Sequence, residues 1–93
     1  EAEKATANGV LAALMGADNI LFAKSLLTPT ATYSLADVTN NAVISGATVA
    51  ASGGTTVGSA GTVTITVGSS SYSATYLRAA TTEAGKFTKS GTW

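Results

Sequence analysis

Asp18 stands in the middle of the most apolar run of this chain, Val10 to Leu27. A carboxylate at such a place is a reactive group or a buried charge, and left unpaired in an interior it is costly enough to demand a partner. Lys4, Lys24 and Arg78 are the cations within the chain that could serve, along with backbone N–H groups; the other solution puts Asp18 at a sheet edge, where it reaches water. The remaining chemical inventory is thin. The chain has no Cys and no His, which removes the thiol nucleophile, the imidazole base, the common structural zinc site and the usual haem ligands. Ser and Lys occur, but no nucleophile motif surrounds them. Gly85-Lys86-Phe87-Thr88 ends like a phosphate-binding loop, yet Ala80 stands where the first Gly is required and Phe87 where a Ser or Thr must hold Mg²⁺. Gly58-Ser59-Ala60-Gly61 has the Gly-x-x-Gly spacing of a nucleic-acid clamp without basic neighbours and reads as a turn. The expectation is a protein that is not an enzyme and holds no cofactor or metal.

The 93 residues make one domain, and five Lys/Arg balance five Asp/Glu, so there is no electrostatic footprint for nucleic acid or anionic lipid. Ala, Gly, Ser and Thr occupy 54 of the 93 positions, which leaves little bulk for a core. A chain of this length buries only about 60 to 65% of the surface its unfolded form exposes. Disulfides and metal sites are closed to it, and a partner chain is the remaining supplement.

The elements that must position these residues fall into two halves. Residues 3 to 27 contain no Pro and read as one helix about 36 Å long, stopped by Thr28-Pro29. Asp18, Asn19 and Lys24 interrupt its apolar run and argue against a membrane span. From Thr30 the period shifts to two. Thr62 to Val67 alternates, with Val63, Ile65 and Val67 on one face, and Gly68-Ser69-Ser70 turns the chain into a second strand, Ser71 to Leu77, presenting Tyr72, Ala74 and Tyr76 on one side. Ala42 to Ala51 is a third strand before the Gly53-Gly54 turn, and Tyr33 to Val38 is a short edge strand or loop. The pattern predicts an α+β fold, a long N-terminal helix packed on a small antiparallel sheet: helix 1–28, connecting loop 29–41, antiparallel strands 42–78, and a polar C-terminal tail 79–93.

The helix surface carries the functional argument. At about 100° per residue, Val10, Leu14 and Leu21 lie within about 40° of one another, and Leu11, Phe22, Met15 and Leu26 lie between about 100° and 160°, a broad core stripe. The opposite side holds Ala5, Gly9, Ala12, Ala13 and Gly16 between about 200° and 300°, extended by Ile20 and Leu27. A helix apolar all round is buried all round, and one small sheet covers one side. Small residues three and four apart admit a second helix, and each interior Gly costs about 1 kcal/mol relative to Ala, which calls for a packing reason at Gly9 and Gly16. Trp93, at the end of the tail, joins these as a residue that could dock on a neighbour.

With these residues in view, the stretch Ala7 to Lys24 (ANGVLAALMGADNILFAK) resembles the amphipathic second half of a pilin helix, and Thr62 to Ala84, with its hairpin and Thr-Thr-Glu-Ala-Gly exit, resembles a pilin sheet. The chain as a whole looks like the globular part of a type IV pilin or pseudopilin. Pilins begin with a basic leader, a cleavage site, a Phe, an apolar stretch and a Glu at the fifth mature position, and this sequence contains none of them. Either the apolar half was cut away, or the chain is similar to the globular subunit of a split pilin, called geopilin domain 2, whose filament-forming helix is a separate short polypeptide; the small-residue face favours the latter. The resemblance implies a structural subunit of a periplasmic or cell-surface filament. Its partners would be a helix-only pilin and neighbouring copies, with Ala5, Gly9, Ala12, Ala13, Gly16, Asp18, Ile20 and Trp93 at the interface and the membrane reached only through the partner. The competing expectation is a secreted surface binding module such as an adhesin, surface-layer or phage fibre domain, which would fold alone behind a polar helix face.

Overall fold

The fold is described by a computed structural model covering residues 2–28, 32–91 and 93. Helix α1 (Ala2–Leu27) is followed by a short helix α2 (Leu35–Asn41) and four strands, β1 (Thr48–Gly53), β2 (Gly61–Val67), β3 (Ser70–Leu77) and β4 (Lys86–Lys89). The strands form one antiparallel meander in the order β1-β2-β3-β4. A long N-terminal helix packed on a small antiparallel sheet is the α+β arrangement expected from the two periodicities. The expected stop at Pro29, and the first residues of the connecting loop, lie outside the described residues.

The sheet alternates as its residues dictate. Val63, Ile65 and Val67 of β2 face α1 and are buried, opposite Ala74, Tyr72 and Ser70 of β3, while Thr62, Thr64 and Thr66 point the other way, opposite Thr75, Ser73 and Ser71. The core lies between this inner face and the line Ala7, Val10, Leu11, Leu14 and Ala17 of α1, closed at one end by Leu35 and Val38 of α2.

Four expectations need correction. The third strand, expected over Ala42 to Ala51, is β1 and runs from Thr48 to Gly53, residues 42–47 forming the connection that leaves α2. The segment 29–41 is not all loop: Ser34 begins α2 with a capping box, its Oγ accepting from the Asp37 N–H at 3.4 Å and its own N–H donating to Asp37 Oδ2 at 2.9 Å. The tail 79–93 contributes β4, with Phe87 opposite Tyr76 and their ring centroids 4.8 Å apart. The core stripe of α1 is narrower than drawn from the wheel, since Met15 and Leu26 are 40% and 59% exposed. Four short strands, whose inner face is Val63, Ile65, Val67, Ala74, Tyr72 and Tyr76, cover one side of the helix and leave the other open.

By length and composition α1 could also cross a membrane, so its three polar interruptions do not disqualify it on those grounds. In the folded chain, however, its Asp18 face is sealed against the sheet.

Candidate functional site

The small-residue face of α1 borders a groove. Thr6, Gly9, Val10 and Ala13 form one wall with Val43, Ile44 and Ser45 opposite, and the groove continues past Ala13, Gly16, Ala17 and Ile20 against Asn41, Ala42 and Val43. The second stretch is a shallow groove of about 270 Å³, open to solvent and apolar apart from Asn41. Gly9, Ala13, Gly16 and Ile20 are spaced by four, three and four, the repeat that keeps one line of a helix facing a neighbour. Ile20 is 60% exposed and Val43, the outer lip, 90%. Ala5 and Ala12 are also exposed, yet they stand on the crest of the helix outside the groove. The connection leaving α2 supplies the far wall, so the helix unforeseen in 29–41 also shapes the groove.

Among the described residues no steric contact requires glycine at positions 9 and 16. A Cβ built at either position meets nothing within 4 Å. Gly85 is the opposite case: a Cβ there would overlap the Tyr76 ring, so its absence is what lets the 78–85 connection close over the sheet.

Asp18 is not on the groove. It is 1% exposed and accepts a hydrogen bond from the Tyr76 hydroxyl on Oδ1 at 2.9 Å, which corrects its assignment to the partner face and its alternative placement at a sheet edge open to water, and supplies a donor other than the cations or backbone N–H groups expected. Arg78, the cation nearest in purpose, is itself buried at 4% exposure and turned elsewhere. Its Nε donates to Glu83 O at 2.9 Å, its Nη2 to Thr81 O at 3.1 Å and to Ser25 Oγ at 3.5 Å, and its guanidinium carbon lies 4.2 Å from the centroid of the Tyr33 ring. Burial first, and the Asp18 charge second, push the Tyr33 phenol up to about 12. Burial and then the hydrogen bond to Asp18 push Tyr76 well above its ordinary value. Two phenols are thereby kept protonated around one carboxylate. Asp18 Oδ2, Tyr33 Oη and Arg78 Nη1 are buried without a hydrogen-bond partner, so the cluster's polar capacity is only partly used. Neither stretch of the groove reaches these atoms, and the Asp18–Tyr76 bond clamps α1 to the sheet; a separate cleft of about 360 Å³ between Tyr76, Leu77 and the 79–86 connection borders the Tyr76 side of the cluster.

Trp93 is half-buried within its own chain, its ring 5.5 Å from Tyr72 with Lys89 Nζ 5.3 Å above it. Among the described residues no three Asp, Glu, His or Cys gather where they could hold a metal ion. Gly85-Lys86-Phe87-Thr88 leads into a strand rather than the helix a phosphate loop needs.

Of the residues expected at a partner face, Gly9, Ala13, Gly16 and Ile20 line the groove, while Val43, and the Tyr33 and Tyr76 that surround Asp18, were not among the expected site residues. A signal for the tyrosines existed: a lone Asp in an apolar helix needs a donor, and a phenol supplies one without a second buried charge. Val43 had no signal, because its place depends on how the chain leaves α2. No protein-family model, no curated protein and no solved structure matches this chain.

Proposed function

We propose that the chain is a non-enzymatic subunit of a periplasmic or extracellular type IV pilus-like filament, and that the groove along α1 takes a helix of a separate, helix-only polypeptide. One observation carries the reading. Gly9 and Gly16 each cost α1 about 1 kcal/mol relative to Ala, and among the described residues nothing beyond the helix's own local backbone lies within 4 Å of where a Cβ would stand. A second helix pressed against that line supplies the missing reason, because close backbone approach is what glycine permits and any side chain prevents. The exposed apolar residues Ile20 and Val43 beside it support the same reading over an autonomous binding module, which would present a polar helix face there.

The test uses Gly9→Leu and Gly16→Leu in cells that produce the protein, together with a photo-crosslinking residue at Ala13. Both Leu variants are expected to keep the parent's circular dichroism spectrum, since a Cβ at each site meets nothing within 4 Å among the described residues. The parent is expected to cross-link to one short helical polypeptide and to enter filaments seen by electron microscopy, and the Leu variants to lose both. Filaments that incorporate both Leu variants at the parental level overturn the proposal.

A further inference from the structure

We propose that β1 is a self-complementary edge through which two copies of this chain join their sheets, antiparallel and centred on Ala50. The two edges of the sheet are built differently. β4 carries Lys86 and Lys89 in four residues, the charge pattern that discourages strand addition. β1 is Thr48-Val49-Ala50-Ala51-Ser52-Gly53, without a charge or a Pro, and five of its six residues are exposed. Its pairing with β2 is continuous from Thr48↔Thr66 to Gly53↔Gly61, without a bulge to twist the edge away. Among the described residues, no hydrogen bond from outside the sheet reaches the backbone of residues 48–52.

The side chains select the occupant and the register. A two-fold axis perpendicular to the sheet keeps both helical layers on one side, and it requires a residue of β1 to face its own copy. Centring on Ala50 sets Thr48 opposite Ser52 on the outer face and Val49 opposite Ala51 on the inner face. Hydroxyl then meets hydroxyl and apolar meets apolar, with two Ala methyls at the axis. Centring on Ala51 instead sets Val49 against Gly53 and Ala50 against Ser52, which wastes both. The outer face that would become continuous is already of one chemistry, Thr62, Thr64 and Thr66 beside Ser71, Ser73 and Thr75, with no charge to repel its copy. Five paired residues fall short of the roughly 1,000 Å² of a stable complex, so the contact is a weak one that acts where copies are concentrated. It stands independently of the filament reading.

The chain lacks cysteine, which makes the test direct. Facing residues in an antiparallel pair have Cα atoms about 4.5 to 5.5 Å apart, within disulfide reach. In the proposed register the two copies of residue 51 are about 8 Å apart and out of reach. Purified full-length Ala50→Cys is therefore expected to form a disulfide-linked dimer under mild oxidation, at a rate rising with concentration and at least tenfold faster than Ala51→Cys. An equimolar mixture of Thr48→Cys and Ser52→Cys is expected to link as the mixed dimer. Ala50→Lys should sediment as a monomer at concentrations where the parent associates, with an unchanged circular dichroism spectrum. Linkage of Ala51→Cys as fast as Ala50→Cys, or a parent that stays monomeric up to its saturating concentration, overturns the proposal.

Discussion

A carboxylate that is 1% exposed is tolerated only while its donor stays in place, and the Asp18–Tyr76 hydrogen bond is the tie between α1 and β3 that this requirement creates. Tyr76→Phe removes the hydroxyl and leaves Oδ1 buried with no donor, at an expected cost of about 1 to 3 kcal/mol. Asp18→Leu made together with Tyr76→Phe removes both partners and should recover much of that loss, so the double-mutant cycle in chemical denaturation should show strong coupling. Additive losses would mean that the bond is incidental. The same pair sets the alkaline limit of the fold. Tyr33 and Tyr76 both have native values raised above 10, so the native state holds its phenolic protons at a pH where the unfolded chain releases them. The unfolded state then binds fewer protons, and stability falls as pH rises. Their contribution is fully present below about pH 10 and is lost progressively above it, through about 12 for Tyr33. Unfolding measured at successive alkaline pH values, with phenolate absorbance followed in parallel, should show Tyr33→Phe with a shallower decline than the parent.

Among the elements, α1 shows what the sequence could and could not disclose. Its length, its apolar character and the alternation of β2 and β3 were legible because each rests on a local period: 3.6 for residues that must bury a stripe, two for residues that share a pleated sheet. The width of its buried face was not legible, because that depends on how many strands lie beneath it and how far their side chains reach. The same holds for β4, whose four residues become a strand only by pairing with β3. Helix α2 is different: Ser34-x-x-Asp37 ahead of Val38 is a capping box, a local signal present in the sequence, although the period of Tyr33 to Val38 suggests a short edge strand or loop. Ser34→Ala should cost about 1 kcal/mol in thermal or denaturant unfolding by removing that cap. Gly9→Ala and Gly16→Ala should act in the opposite direction. Each relieves about 1 kcal/mol of helix cost with no clash to oppose it, so each should raise Tm by about 4 to 8 °C in the isolated chain. If either substitution lowers Tm, the glycine serves its own fold, and the argument for a second helix fails at that residue.

At the scale of the whole molecule, a body 41 Å long and 21 × 16 Å across has α1 along its length, covered on one side only. The formal net charge is zero at pH 7, so little long-range repulsion keeps copies apart, and Ile20 at 60%, Leu27 at 85% and Val43 at 90% exposure offer apolar contacts between them. The isolated chain is therefore expected to reach a low saturating concentration that does not reflect poor folding. Ile20→Lys and Leu27→Lys separate the two properties. Both positions face solvent, so either substitution should leave unfolding free energy within about 0.5 kcal/mol of the parent while raising the saturating concentration. They should diverge on partner capture. Ile20 lines the groove with Ala13 and Gly16, where a lysine would bring an unpaired ammonium against an apolar helix, whereas Leu27 lies beyond it at the end of α1. Cross-linking from Ala13 in producing cells should thus survive Leu27→Lys and disappear with Ile20→Lys. Equal loss in both would point to the exposed apolar end of α1, rather than the groove, as the surface the partner covers.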